Sequence, residues 1–280
     1  MHTSISLAGA AAGLAVTVAT AAATVQAPIG QIVPGATPVV DVRAGDAGVQ
    51  VSASQELRPG PLELSLSAHS ASSPQTLSIL RLREGASPDA VAATETHGLA
   101  DVRALERSAT LVSGAIVRPG ARFRSTIVAT AGRYLVVNYS DERHRYALFS
   151  VAGSPRGDLQ LPAAPHLRIR DHGYDLPARL ERRGLLRVHN AGTRPHHVLA
   201  IRIKRGLGDV AAMRRARRGG DLRRIGTPQE LLGLVSAGTV NLVDYHLKPG
   251  RWLLVSYYGT LLPRTRPDAQ RGLIEIVRVR

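Results

Sequence analysis

The feature that most constrains this chain is that it repeats itself. Residues 74–85 (PQTLSILRLREG) lie over residues 195–206 (PHHVLAIRIKRG) without a gap, 121 positions apart. Residues 132–139 (GRYLVVNY) lie over residues 250–257 (GRWLLVSY), 118 positions apart. Two blocks in the same order and at nearly the same offset mark a duplication. A period of about 120 residues is too long for a solenoid unit and suits a whole domain. The units are therefore expected at residues 41–153 and 166–280, joined by the Pro-rich linker 154–165.

Each unit reads mainly as strands. Leu80 and Leu82 alternate with Arg81 and Arg83, and Ile201 and Ile203 alternate with Arg202 and Lys204, which is the period of a strand with one face buried. Short apolar runs at residues 135–137 and 253–255 predict buried strands, and residues 273–279 a terminal one. Each unit also carries a helical insert. Ser87 before Pro88 and Asp89 is an N-cap followed by Pro at the first helical position, and residues 209–218 look helical, with Val210 and Met213 able to face the domain. Thr227, Pro228 and Glu230 form a capping box that predicts a further short helix. The expected fold class is all-β: two tandem β-sandwich domains, each with a short helical insert. Aromatic residues are only 4% of the chain, so Val, Leu, Ile and Ala must fill the cores.

Residues 1–27 read as a secretion signal. Residues 5–25 are uncharged and Ala-rich, and Val25-Gln26-Ala27 fits a small-residue cleavage site. No Lys or Arg precedes the apolar run, which is also long enough to span a bilayer, so a retained N-terminal anchor is the alternative to export. The net charge of +15 is uneven. Residues 28–162 hold 13 Arg against 12 acidic residues, whereas residues 163–280 hold 21 Arg and 2 Lys against 9. An anionic partner would therefore engage the second half.

Three stretches of that half carry a family resemblance. Asn190, Gly192, Pro195 and His196 form an N-x-G…P-H stretch. Leu247, Pro249, Gly250 and Trp252 form an L-x-P-G-x-aromatic turn. Pro267, Asp268, Gly272 and Leu273 close the chain with the outline of a P-H-x-x-x-G-M ending. In this order they resemble the cupredoxin (plastocyanin-like) domain over most of residues 166–280, and the repeat extends the likeness to the first unit. The resemblance implies two tandem cupredoxin-like sandwiches. It places His196 at the first copper ligand, Ser256 at the Cys, Asp268 at the second His and Leu273 at the Met, with Gln75 and Asn138 at the first two places in the first unit. The chain has no Cys at all. A serine offers no soft anionic donor at neutral pH and a leucine offers none, so the expectation is a retained fold without copper or any other cofactor.

The remaining site candidates are few. His196 and His197, together with His189, His246 and Asp268, would make a weak surface site for Cu(II) or Zn(II), set against His196 as a packing or hydrogen-bonding residue. As neighbours on a strand, the two histidines should point to opposite faces. Residues 206–211 superficially match a dinucleotide-binding turn, but the counterpart in the repeat is a plain N-cap at Ser87. Asn138-Tyr139-Ser140 is a formal glycosylation sequon. No nucleophile–base motif, Walker loop or H-E-x-x-H is present, so no catalytic activity is expected. Arg214, Arg215, Arg217 and Arg218 share one side of the predicted helix, and Arg223 and Arg224 follow. They read either as a solvated face or as a contact for an anionic cell-envelope polymer or lipid headgroups. Specific nucleic-acid readout is not expected, because no binding motif is present and few aromatics could stack on bases. Two functions stand: an exported copper-free binding or structural protein, or a non-blue copper-handling or redox protein.

Overall fold

The computed structural model describes residues 37–69, 72–94, 99–140, 143–156, 161–219, 221–256 and 268–280. The expected leader at residues 1–27 lies outside them, as do residues 157–160 of the expected linker. The first unit comprises β1 (Val39–Gly45), β2 (Gly48–Ala53), β3 (Gly60–Ala68), β4 (Gln75–Leu82), α1 (Pro88–Ala92), α2 (Leu99–Ser108), β5 (Ala109–Val117), β6 (Arg122–Ala129), β7 (Gly132–Asn138) and β8 (Tyr146–Val151). The second comprises β9 (His166–Arg170), β10 (Gly173–Asp175), β11 (Arg179–Leu180), β12 (Arg183–Asn190), β13 (His196–Ile203), α3 (Asp209–Arg218), β14 (Gly226–Val235), β15 (Val240–His246), β16 (Gly250–Val255) and β17 (Ile274–Val279). Single 3-10 turns at Leu222–Arg224 and Asp268–Arg271 complete it.

These strands make a β-sandwich architecture. One eight-stranded sheet, ordered β10-β9-β12-β15-β6-β3-β1-β2, runs through both units. A four-stranded sheet, β5-β4-β7-β8, covers its first half, and a five-stranded sheet, β11-β17-β16-β13-β14, covers its second. Between them lie two aliphatic cores. Val42, Leu64, Leu77, Ile79 and Val136 fill the first, and Ile169, Val188, Val198, Leu232 and Leu254 fill the second. The helical inserts cover the outer faces of the smaller sheets, α1 and α2 over Leu80, Leu82 and Leu135, and α3 over Ile201, Ile203 and Leu253. This explains the continuous apolar runs of β7 and β16, which are buried on both faces. The arginines of the alternating motif do the same thing twice: Arg81 donates to the Ala131 carbonyl at 3.1 Å and Arg202 to the Pro249 carbonyl at 3.0 Å.

The units meet through their equivalent strands. β15 pairs antiparallel with β6, and Ser125 is opposite Val243, 118 positions on, the same offset that separates Gly132 from Gly250. A residue paired with the position 118 further on places a local two-fold axis between the two units. β5 and β14 cross beside it, and Gly233 lies so close that an added Cβ would stand 2.7 Å from the Gly114 carbonyl carbon. On one side of the axis the seam is closed. The Leu111 amide donates to Ser236 Oγ at 3.1 Å and the Ser236 amide to the Leu111 carbonyl at 2.9 Å. Asn241 Nδ2 adds a bond of 2.9 Å to the Val112 carbonyl. Phe123 packs against both cores. The described part of the linker is tied down too: Leu161 is buried, and its carbonyl accepts from Arg187 at 2.7 Å.

Two local expectations are corrected. Residues 226–235 are not helical at their start. They form β14, with Pro228 opposite Ile201 and Glu230 opposite Leu199. β14 is the edge of its sheet, where a proline costs little, and pairing with β13 overrides the capping signal. Val210 does not face the domain but is 70% exposed; Ala212 and Ala216 are the buried residues of α3.

Candidate functional site

Three of the four residues that the resemblance assigns to copper do come together. Asn190 starts the loop that shapes their site. Its buried amide donates to the Arg194 carbonyl at 2.8 Å and the Val235 carbonyl at 3.0 Å, and its Oδ1 accepts from the Gly192 amide at 3.1 Å. This delivers His196, fully buried, to the start of β13. His196 Nδ1 lies 3.0 Å from Asp268 Oδ2, and Nε2 lies 3.3 Å from Asp171 Oδ1. Ser256 Oγ donates to the same Asp268 oxygen at 2.9 Å. Gly192 permits the approach of Asp171, since a Cβ there would meet Asp171 Oδ1 at 2.6 Å. Leu273 is buried in the neighbouring core.

The electrostatics suit this closed arrangement. Burial disfavours the Asp171 carboxylate, but bonds from the Thr193 amide and hydroxyl and from His196 outweigh it and hold Asp171 below the usual carboxylate range. His197 does not act independently of the group. The register of β13 against β14 is irregular at Val198, and His197 Nδ1 reaches Ser256 Oγ at 3.4 Å, so both histidines approach the Ser256–Asp268 pair. Loss of solvation pushes the His197 ring down to about 4, against the attraction of Asp268, so it is neutral at physiological pH. In the first unit the equivalent places are likewise bonded to each other, Asn138 Nδ2 donating to Gln75 Oε1 at 2.7 Å. The Asn138 side chain is buried and its amide is engaged, which leaves the sequon no acceptor group at the surface.

This donor set does not fit a blue copper centre. Ser256 supplies no thiolate, Leu273 supplies no donor, and both ring nitrogens of His196 face carboxylates. His189 stacks on His166 with ring centroids 6.0 Å apart, and His246 is exposed between the units; neither hydrogen-bonds to the His196 group among the described residues. No group of three or more His, Cys, Asp or Glu side chains poised for a metal occurs among the described residues. Asp171 was not foreseen from the sequence.

The second candidate is the basic surface. Arg214, Arg215, Arg217 and Arg218 are exposed on α3, whose Ala212 and Ala216 face the sheet. Arg223 and Arg224 are exposed on the 3-10 turn that follows, and Arg215 donates to the Arg224 carbonyl at 3.2 Å, which holds the turn against the helix. No helix among the described residues is long and apolar enough to cross a membrane.

No protein-family model and no curated protein matches the chain. Among solved structures, similar ones include a multicopper oxidase, 10% identical, covering 86% of this chain and 88% of that one at a TM-score of 0.25. A copper nitrite reductase from Nitrosomonas europaea is 12% identical, with coverage of 86% and 93% and a TM-score of 0.26. A dithionite-reduced auracyanin from Roseiflexus castenholzii is 12% identical, with coverage of 42% and 99% and a TM-score of 0.25. All three scores are low, and the fold is described by the sheets and registers above.

Proposed function

We propose that this chain is an exported, non-catalytic binding or structural protein made of two copper-free cupredoxin-like sandwiches, and that its second unit contacts anionic envelope polymers or lipid headgroups. The observation that carries this reading is the state of the former ligand positions. Apart from Leu273, they hold polar side chains that bond to one another, Gln75 with Asn138 and His196 with Asp268 and Ser256, as expected where a metal site has become a structural network. The binding half of the reading is supported by the exposed arginines from Arg214 to Arg224, since clustered guanidinium groups meet phosphate in bidentate fashion.

The test uses the full chain on vesicles of phosphatidylglycerol and phosphatidylcholine, and on a polyphosphate matrix, at low and moderate salt. Retention should fall steeply as salt passes about 0.1 M, where the screening length is about 10 Å. Replacing Arg214, Arg215, Arg217 and Arg218 together by Gln should remove most of it. Vesicle binding without matrix binding would select headgroups over a polymer, and no loss in the quadruple variant would reduce the patch to a solvated face. Copper titration tests the other half. Tight stoichiometric binding that disappears in His196→Ala would favour the non-blue copper-handling alternative.

A further inference from the structure

The two-fold seam is closed on one side of its axis and open on the other. β6 and β15 stop pairing at Ser125 and Val243, while β6 continues along β3 to Arg122 and β15 along β12 to His246. The strands part, and a groove of about 820 Å³ opens between the units. Its rim carries Arg118, Arg122, Arg124, Arg202 and Lys248, against the two acids Asp244 and Glu230. Three of these cations have local partners: Arg118 on the Pro228 carbonyl, Arg202 on the Pro249 carbonyl and Arg124 near Glu63. Arg122 and Lys248 make no side-chain hydrogen bond or ion pair among the described residues. The wall between them is apolar, with half-buried Phe123 and Leu199 and with Ile116, which is 49% exposed. Trp252, the one tryptophan of the chain, also lines it.

A closed packing seam has no use for unpaired cations beside exposed apolar side chains. A site for a molecule with both characters does. We propose that the groove between the units is a second binding site, separate from the arginine patch on α3, for an organic anion that carries a phosphate, sulfate or carboxylate group on an apolar body. The charged group would sit between Arg122 and Lys248, and the apolar body would lie against Phe123, Leu199 and Ile116. The volume is within the range of ordinary small-molecule pockets, roughly 300–1,000 Å³. The environment of Glu230 agrees with this, because burial of its carboxyl reduces the negative charge in the wall near neutral pH.

The probe is 8-anilinonaphthalene-1-sulfonate, an aromatic anion, titrated into the full chain with its own fluorescence and the emission of Trp252 as readouts. Binding of one probe per chain is expected, with displacement by dodecyl phosphate below its micellar concentration. Inorganic phosphate and dodecyl maltoside, each bearing half of the required chemistry, should displace it at least tenfold less well. Arg122→Glu with Lys248→Glu should weaken the probe tenfold or more, with a melting curve that matches the parent. Ile116→Glu, at an exposed side chain, should do the same by a different route. The Gln variant of Arg214, Arg215, Arg217 and Arg218 should bind the probe unchanged. Parent-like binding by the Glu variants, or loss in the α3 variant, would overturn the proposal. Equal displacement by inorganic phosphate or by the maltoside would do so as well.

Discussion

Replacing Glu230 by Gln should stabilise the protein at pH 8 and have much less effect at pH 5. The Glu230 side chain lies in the groove wall, where Oε2 accepts from the Ile116 amide at 3.3 Å across the seam. Burial raises its pKa from 4.5 to about 7, and the Ile116 bond only partly opposes this. The titratable and charged groups that share the groove with it are Arg118 just after β5, Arg122 and Arg124 from β6, Arg202 from β13, Asp244, Tyr245 and His246 from β15, and Lys248. Below pH 4.5 the carboxyl is protonated in folded and unfolded chains alike, and no stability is lost. As pH rises from 4.5 to about 7 the unfolded chain ionises first, so folding stability falls, by at most about 1.4 kcal/mol per pH unit for one proton. Above about 7 the deficit is constant. Taken whole, the raised pKa corresponds to about 3 kcal/mol, and solvent reaching the half-buried side chain lowers this to about 1–3 kcal/mol. Glutamine keeps an oxygen for the Ile116 amide and cannot ionise. Urea unfolding of both proteins at pH 5, 6, 7 and 8 gives the difference free of every other titration. A difference that opens between pH 5 and pH 8 is expected, and one that is the same at all four values would refute the reasoning.

Three further outcomes follow from the packing. His196→Ala should cost about 2–4 kcal/mol in denaturant unfolding, because it leaves the buried Asp268 with Ser256 and a distant Arg271 as its remaining partners, whereas Ser256→Ala should cost about 1 kcal/mol. Gly233→Ala should cost about 1–3 kcal/mol, since its Cβ would strike the Gly114 backbone and force the units apart; an unchanged midpoint would mean that the seam is compliant. The quadruple Arg→Gln variant of α3 should melt within about a degree or two of the parent, because exposed charges contribute little to stability.

The parts of this fold that were legible in sequence are those set by local periodicity. β4 and β13 alternate Leu or Ile with Arg or Lys, and the strands lie where that alternation places them. Ser87 caps α1 as its position before Pro88 requires, its Oγ accepting from the Ala90 amide at 3.4 Å. Thr227 to Glu230 misled because a capping box is a signal of three or four residues, while the pairing of Pro228 with Ile201 is made by strands far apart in sequence. The site was legible only in part for a similar reason. His196 and Asp268 stand in recognisable motifs, but Asp171 is a single acid after β9, and no spacing joins it to a histidine 25 positions later. Nor does any local pattern announce that β6 will pair with β15.

The two sides of the pseudo-two-fold axis differ in how the seam between the units is closed. Repetition brings equivalent strands together twice, and at Leu111 and Ser236 the chain closes the contact with a reciprocal pair of bonds. At the related place the same strands meet through side chains, Arg118 reaching Pro228 and Glu230 reaching Ile116, which holds the units apart by the length of those side chains. Closing this side with small or apolar residues would remove an acid whose burial disfavours its charge, and at pH 8 it would gain stability. A fold that carries such an acid at one end of the seam, where the other end is closed by backbone and side-chain bonds, bears a local cost at that end of the kind that binding sites bear. Glu230→Gln and the Arg122 and Lys248 variants therefore bear on one question from two directions. If the groove is a site, the first should raise stability at pH 8, and the second should weaken anion binding with the melting curve unmoved.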